Sequence, residues 1–530
     1  MTKSLLTFGQ MLDAHARLTP ARAGARDLER TLTFGQWNDR AKRLANALTG
    51  LGLAKGERVA VLAYNRLEWA EIYAATAKAG IIAVPINFRL SPVEMRFIIE
   101  DCGAMAIMVE AALRPAIEEI RDDLELADDR YIHFGGAAPA GWCDYEALIA
   151  KASATPPETT INDTEPWALM YTSGTTGKPK GVIRSHRSMA LLAFGTEIEV
   201  GVGRDDDVML VMPMCHANSL NFFCAFSYRG AAATIHSRPS FDAAEALQMM
   251  EQSGATFTSL VPTHYIMMLD QARKDGRSRD LGRMTKLMIS SAPARADTKR
   301  EIMEVFPNSG LFELYGSSEA GWVTMLHPDE QFTHLGTVGR ECVGTAPIRM
   351  LDDAGHEVPD GQPGELFHCT PYTFDGYWNL PDKTAEAFRG DYCTVGDMAL
   401  RDEHGYIKLI DRKKNMIISG GENIYPTEVE TVLGSNPAVK DVAVIGLPDE
   451  KWGERVHAVV VLHDGADITE ASLIASCEGQ IARFKRPRGV TFVHDAAIPR
   501  TATGKVQHGL LREQLLRGDL PASATKRAAR

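Results

Sequence analysis

The 530-residue chain has no run of about 18 apolar residues, so no transmembrane helix is read from it. Met1 to Asp13 carries one lysine in a short mixed stretch and lacks the apolar region and small-residue cleavage site of a signal peptide. The eight cysteines are scattered, with no CxxC pair and no metal-ligand spacing. That suits a reducing compartment, and the expected location is the cytoplasm. Basic residues are in the minority, 57 Lys and Arg against 69 Asp and Glu, for a net charge of −12. Such a balance argues against general nucleic-acid or anionic-membrane binding, so any polyanionic ligand must meet a local site. No repeat at a solenoid period is found. What remains is ordinary globular composition, 45% apolar and 24% charged, long enough for two to four folding units at roughly 150 residues each.

Apolar spacing organises the first part of the chain. Ala41, Leu44, Ala45, Leu48 and Leu51 recur at helical spacing, and Gly52 can end that helix. A buried-strand run from Arg58 to Ala63, a helix pattern from Glu68 to Lys78 and a strand run from Ile81 to Pro85 read as a βαβ unit with a parallel sheet. Short apolar runs recur at Val208–Met212, Thr258–Val261, Leu287–Ile289 and Leu311–Leu314. The expected fold class is α/β, a large mixed α/β domain over residues 1–411. A break near Asp411–Asn415 opens a small α+β domain over 412–530. In it, Thr427 and Glu430 read as a capping box. Strand runs follow at Val442–Leu447 and Val456–Leu462, a helix from about Thr469, and a strand at Val490–His494. The alanine-rich basic tail after Arg517 is expected to be poorly ordered.

The densest signal is Tyr171-Thr-Ser-Gly-Thr-Thr-Gly-Lys-Pro-Lys-Gly-Val182. Gly174, Gly177 and Gly181 permit turns that a side chain would forbid. Thr172, Ser173, Thr175 and Thr176 add hydroxyls, and with loop N–H groups and Lys180 they can surround a polyphosphate. The spacing is not GxxxxGK[ST], so this is a phosphate loop of another kind. Tyr315-Gly-Ser-Ser-Glu319 follows a strand run and should sit at a strand's carboxyl end, where α/β folds place ligands. Tyr315 offers a flat face to a purine, Ser318 a hydroxyl near phosphate, and Glu319 a hard oxygen for Mg²⁺. Tyr392-Cys-Thr-Val-Gly-Asp397 leads into Asp411-Arg412. There a carboxylate can accept two ribose hydroxyls and a guanidinium can add a contact. Taken alone, an exposed Asp–Arg pair is worth little.

In this order the motifs resemble the adenylate-forming superfamily of acyl-CoA synthetases, luciferases and peptide-synthetase adenylation domains, over roughly Thr7 to Glu513. The resemblance implies that the loop, including Gly174, Thr176 and Gly177, holds ATP, and that Thr176 and Glu319 serve the metal. It places Ala292, Tyr315, Gly316 and Ser318 at the nucleotide, where the family usually has threonine at position 318. Asp397 matches the ribose aspartate and Arg412 its partner, with Val395 where threonine is usual. Lys414 matches the hinge position. Gly420 and Gly421, in Ile417-Ile-Ser-Gly-Gly-Glu-Asn-Ile-Tyr-Pro426, match the loop lining the pantetheine tunnel, with Ile418 where plant aryl-CoA ligases carry lysine. Lys505, ending Pro499-Arg-Thr-Ala-Thr-Gly-Lys505, matches the C-terminal lysine that cancels charge between carboxylate and α-phosphate. His216 matches a histidine or aromatic between acyl pocket and CoA tunnel. The basic run Ala482-Arg-Phe-Lys-Arg-Pro-Arg488 is a candidate for CoA phosphates, or equally a solvated charge run.

The implied activity is ligation of a carboxylic acid to coenzyme A through acyl-AMP, with ATP, Mg²⁺ and CoA as the cofactor set. Lys505, Glu319, Thr176 and His216 are the expected catalytic residues. His216, Ser219, Phe222, His264, Trp322 and Val323 are pocket candidates whose aromatic and polar mix suits a medium-chain acyl or aryl acid. The alternative is an adenylating enzyme that loads a freestanding carrier protein, since nothing after Lys505 looks like a carrier domain. An adenylate-dependent oxygenase and a dead nucleotide-binding protein are the other readings, and the intact Lys505, Glu319 and Asp397 oppose the second. No nucleic acid or integral membrane contact is expected, and the chain is expected to be a monomer or homodimer.

Overall fold

The computed structural model describes residues 7–172, 179–276, 279–291, 294–419, 422–501 and 505–520. By contact the chain forms two compact units, Met1–Ile348 with His368–Cys393, and Arg349–Phe367 with Thr394–Arg530. The division at 411/412 expected from sequence follows the break near Asp411. The contact division instead carries the excursion 349–367 and the strand Asp397–Arg401 into the second unit.

The first unit is built on two sheets. In the seven-stranded sheet, Arg58–Leu62 lies between Ile82–Ile86 and Ala104–Glu110. Arg58 pairs with Ile82 and Leu62 with Ile86 in parallel register, the expected βαβ unit. The helix between them, Glu68–Ala79, is buried on every side. A helix in that position must pair its charges, because an unpaired buried charge is expensive. Glu71 takes a bidentate pair from Arg40 at 2.7 and 3.0 Å and the Tyr145 hydroxyl at 2.6 Å. Glu68 meets Arg30 at 2.7 Å and Arg66 at 3.1 Å, and Lys78 donates to the Gly9 carbonyl at 2.8 Å.

The nine-stranded sheet carries the other four apolar runs, as Asp207–Leu210, Phe257–Leu260, Lys286–Ser290 and Gly310–Ser317. From Gly310–Ser317 inward these strands are parallel. Asp207–Leu210 is flanked by Ala232–Ile235 on one side and Phe257–Leu260 on the other, so the winding direction reverses there. Such a reversal opens a crevice at the strands' carboxyl ends.

The second unit holds a four-stranded antiparallel sheet, Arg349–Leu351, Gly364–Phe367, Asp397–Arg401 and Ile407–Arg412. Its second sheet pairs Val439–Asp449 with Gly453–Leu462, edged by Ile417–Ser419, Glu422–Ile424 and Val490–Phe492. Successive residues of Val439–Asp449 feed two cores. Val444 joins Val429, Leu433 and Leu473 on one face, and Ala443 and Ile445 join Leu511 on the other. Burial on both faces is why this strand reads as a continuous apolar run.

One local expectation is corrected. Thr427 and Glu430 form no capping box, because the helix Pro426–Gly434 starts two residues earlier than such a cap would set it, with Tyr425 at the N-cap and Pro426 in its first turn. The Thr427 N–H donates to Asp411 Oδ2 at 3.1 Å, and Glu430 accepts from the Val444 N–H at 2.8 Å. Gly52, whose φ is +91°, ends the helix Phe34–Gly50 as expected: its N–H donates to the Thr49 carbonyl at 2.9 Å and the Leu53 N–H to the Leu48 carbonyl at 3.1 Å. The start of this helix is a capping box at Thr33 and Gln36.

Gly339 has φ +85°, and a Cβ there would lie 1.9 Å from the Met325 carbonyl oxygen. Gly361 has φ +82° with nothing within 4 Å of such a Cβ. Gly361→Ala is expected to cost only the left-handed strain, roughly 1–2 kcal/mol. Gly339→Ala adds a backbone collision and should cost about 4 kcal/mol or more in urea unfolding.

Candidate active site

In the first unit, the strands Pro166–Thr172 and Lys180–Ser185 form an antiparallel hairpin in which Thr172 pairs with Lys180. Ser173, Gly174, Thr175, Thr176 and Gly177 lie outside the described residues. Gly181 packs closely, since a Cβ there would sit 3.0 Å from Tyr171 and 3.2 Å from Trp378.

Tyr315 and Gly316 lie at the carboxyl end of Gly310–Ser317, as expected, and that strand turns back at once into Gly321–Leu326. The turn is tight: a Cβ on Gly316 would fall 2.1 Å from the Gly321 carbonyl oxygen. Ser317 Oγ accepts the Ala320 N–H at 2.9 Å, and the Ser318 carbonyl accepts Arg184 Nη1 at 3.2 Å. Glu319 is 8% exposed, and its Oε1 accepts the Tyr377 hydroxyl at 3.0 Å. Lys180 Nζ lies 3.7 Å from the centre of the same Tyr377 ring. The structure thus brings the loop lysine and the carboxylate candidate to one tyrosine. Burial lowers the Lys180 pKa, with Glu319 opposing. Burial pushes Arg184 down to about 10, opposed by Asp375 and Glu319. Ala292 lies outside the described residues, and the preceding Ser291 has φ +70° at the end of Lys286–Ser290.

One carboxylate fits Mg²⁺, which keeps several waters and binds through one or two carboxylates plus substrate phosphates. Among the described residues no cluster of three or more His, Cys, Asp or Glu could hold a metal without such a substrate.

The reversal crevice collects polar groups. His216 precedes the helix Ala217–Arg229, and the loop before it is held by Asn65. Asn65 donates to the Val211 and Met212 carbonyls at 3.1 and 3.0 Å and accepts the Met214 N–H at 2.7 Å. Asn218 donates to Ser259 and Ser290 at 3.1 and 2.9 Å, at the ends of neighbouring strands. His264, in the first turn of Pro262–Asp275, stacks on Phe241 at 4.2 Å. His216 Nε2 and His264 Nδ1 are buried without a hydrogen-bond partner among the described residues. Burial, and then the charge of Arg89, pushes both imidazoles down to about 4, so they are neutral at pH 7.

The other pocket candidates are engaged in packing. The Ser219 hydroxyl donates to the Met212 carbonyl at 2.6 Å. Phe222 packs on Phe257 and Trp322 at 4.8 and 5.1 Å, the Trp322 N–H donates to Thr196 at 2.7 Å, and Val323 is fully buried.

In the second unit, Asp397 and Arg412 face each other across adjacent strands, Nε to Oδ1 at 2.5 Å. Lys414 is exposed, in the turn Lys413–Asn415 that joins the unit's two sheets. Lys413 anchors that turn, at 2.7 Å from Asp353 and 2.9 Å from Glu365. Ser419 pairs with Glu422, and Gly420 and Gly421 lie outside the described residues. Lys505 is exposed, and its carbonyl accepts the Thr501 N–H at 2.7 Å. In the basic run, Lys485 pairs with Glu428, Arg486 meets Glu478 at 3.2 Å, and Arg488 lies 4.8 Å over the Trp452 ring.

Sequence reasoning missed Tyr377, Arg184, Asn65 and Asn218. Each acts on a residue tens to hundreds of positions away, so no local spacing marks it.

Comparison with known proteins follows this geometry. A family profile described as AMP-binding enzyme matches residues 12–378, and one described as AMP-binding enzyme C-terminal domain matches 428–505. An indoleacetate–CoA ligase of Aromatoleum aromaticum is 35% identical over 97% of this chain and 99% of its own. A fatty acid–[acyl-carrier-protein] ligase of Streptomyces coeruleorubidus is 32% identical over 96% of each. The structure of an anthranilate CoA ligase in complex with anthranoyl-AMP superposes with TM-score 0.87 at 26% identity, covering 98% of this chain and 99% of that one. An o-succinylbenzoate coenzyme A synthetase of Bacillus subtilis, in complex with ATP and magnesium, gives 0.83 at 27% identity over 96% and 99%.

His216→Phe is expected to flatten the acid side of the stability curve. The unfolded imidazole titrates near 6.5 and the folded one near 4, so between these values the unfolded chain binds more protons. Folding stability is therefore undiminished above pH 6.5 and falls as pH drops toward 4. Removing the imidazole should reduce the slope by at most about 1.4 kcal/mol per pH unit, read from urea unfolding at pH 6.5 and 5.0.

Proposed function

The chain belongs to the AMP-binding enzyme family, and on that premise we propose that it is an ATP-dependent acid–CoA ligase acting through an acyl-AMP intermediate. The observation that carries this reading is the placing of Lys180 and Glu319 against one tyrosine, beside the phosphate-loop hairpin and at the carboxyl end of Gly310–Ser317.

In the first half-reaction, a carboxylate oxygen of the acid bonds to the α-phosphorus of ATP, and the bond to the β-phosphate oxygen breaks to release pyrophosphate. Lys180 and the loop N–H groups hold phosphate charge, Tyr315 stacks on the adenine, and Asp397 with Arg412 takes the ribose hydroxyls. Mg²⁺, held through Glu319 and Thr176, would neutralise charge on the phosphates when bound. Lys505 cancels the repulsion between carboxylate and α-phosphate. In the second half-reaction, the CoA sulfur attacks the acyl carbonyl and AMP leaves with the bonding electrons. Lys414 is the hinge between domains 1–411 and 412–530, and its turn between two sheets supports that role. Movement there withdraws Lys505 and brings Gly420 and Gly421 to the thiol's path. The Ala482–Arg488 run then meets the CoA phosphates.

The acid is a medium-chain acyl or aryl acid seated in the reversal crevice. His216 and His264, both neutral at pH 7, line it with hydrogen-bonding faces and no charge. No described helix is long and apolar enough to cross a membrane. The enzyme works in the cytoplasm as a monomer or homodimer.

A second reading, loading of a carrier protein, is favoured by one relative, the acyl-carrier-protein ligase 32% identical over nearly the whole chain. A pyrophosphate-release screen over a panel of acids, with and without CoA, separates the two. Thioester formed on free CoA at a rate comparable to adenylation is the expected result. Adenylation with thioester only on a phosphopantetheinylated protein would decide for the carrier. Lys505→Ala should slow pyrophosphate release about 100-fold or more and leave acyl-CoA formation from supplied acyl-AMP near the parent rate.

A further inference from the structure

We propose that Tyr377 is the positioning residue of the adenylating site, holding Glu319 by its hydroxyl and Lys180 by its ring face so that the two opposite charges cannot pair with each other. This rests on the reading above, in which Lys180 serves phosphate and Glu319 the metal.

Tyr377 is 6% exposed and lies on a segment laid antiparallel against Lys180–Ser185. The Ile183 N–H donates to the Gly376 carbonyl at 3.0 Å, and the Trp378 N–H to the Gly181 carbonyl at 2.7 Å. Tyr377 itself forms a β-bridge with Val182. Its own N–H donates to Thr384 Oγ1 at 2.8 Å, and its ring meets Phe374 edge-on at 4.9 Å. The same segment reaches the other strand end, where the Phe374 N–H donates to the Glu319 carbonyl at 2.7 Å. Main chain and side chain of Glu319 are thus both fixed from 374–377, and so is the strand that carries Lys180.

A half-buried lysine and a buried glutamate this close to one ring would lose free energy least by forming a direct ion pair. That pair would spend the charge each owes to the nucleotide. The ring face instead takes the ammonium by a cation–π contact, and the hydroxyl donates to the carboxylate. Each charge is stabilised without being cancelled. The hydroxyl bond fixes one carboxylate oxygen and with it the rotation of the group, so the remaining oxygen has a set direction.

Phenylalanine keeps the ring and loses only the hydroxyl. Tyr377→Phe should bind Mn²⁺ about tenfold more weakly in the presence of a non-hydrolysable ATP analogue, read from the electron paramagnetic resonance of free Mn²⁺. That measurement needs no acid substrate, so it stands whether or not the ligase reading does. In adenylation, the same variant should need several-fold more Mg²⁺ for half its rate, regain the parent rate at excess Mg²⁺, and make acyl-CoA from supplied acyl-AMP as the parent does. Tyr377→Leu removes the ring as well, and should also weaken binding of metal-free ATP in EDTA several-fold relative to Tyr377→Phe. Parent-like Mn²⁺ affinity in Tyr377→Phe would overturn the proposal, as would metal-free ATP affinity in Tyr377→Leu equal to that of Tyr377→Phe. Failure of the parent to release pyrophosphate with any acid would instead sink the ligase reading.

Discussion

Lys180 and Glu319 carry opposite charge in a pocket dry enough to lower the lysine's pKa, and they do not pair with each other. A site for a magnesium polyphosphate needs such an arrangement, because a cation for phosphate and an anion for the metal must stand close without cancelling. In water the separation costs little. Under burial the pull between charges grows as the effective dielectric falls, so something solid must hold them apart. The tyrosine ring does this, and it can do so because its backbone is locked into a sheet edge. The strand bearing Lys180 belongs to the seven-stranded sheet and the strand before Glu319 to the nine-stranded sheet. The 374–378 segment bonds to the first strand and to the turn that follows the second, so the spacing of the two charges is set by one segment within the first unit.

Arg184 belongs to the same arrangement. It is buried on the same strand as Lys180, and one of its nitrogens holds the carbonyl of Ser318. Its other terminal nitrogen is buried without a hydrogen-bond partner among the described residues. A guanidinium kept there against its desolvation cost must be repaid by nearby carboxylates, and Asp375 and Glu319 are the groups that oppose the cost. The turn at Ser318–Glu319 therefore rests on Arg184 from one side and on the 374–377 segment from the other.

Much of this fold was legible in the sequence, because parallel strands buried on both faces write themselves as short apolar runs. Arg58–Ala63, Ile81–Pro85 and the four runs from Val208 to Leu314 all became strands, with bounds within two residues except the last, which runs three residues further to Ser317. The glycine-rich motif was conspicuous for a different reason, since glycines and hydroxyls crowd into one short run, and Ser173 to Gly177 lie outside the described residues. What was not legible depends on partners far away in the chain. Tyr377 acts on Glu319 across 58 positions, and Asn65 holds the loop before His216 across nearly 150. Thr427 misled because its spacing to Glu430 matches a cap. Pro426, already in the helix's first turn, and Asp411, which takes the Thr427 N–H, decide otherwise.

Asp411 also bears on how the second unit can move. Its Oδ1 accepts from the Arg412 N–H at 2.6 Å and from Asn415 Nδ2 at 3.1 Å, across the turn that contains Lys414. Its Oδ2 accepts from the Thr427 N–H, which opens the helix packed on the second sheet. One carboxylate thus clasps both ends of the joint between two sheets. In the hinge proposed at Lys414, rotation could keep the Asn415 bond, which lies within the turn, but would stretch or break those from Thr427, whose hydroxyl also donates to Asp411 Oδ2 at 3.2 Å and to the Ile410 carbonyl. A hydrogen bond to a charged group contributes about 1.5–3 kcal/mol, and Thr427 gives Asp411 two of them. The proposed hinge therefore turns only where substrate binding offsets both together.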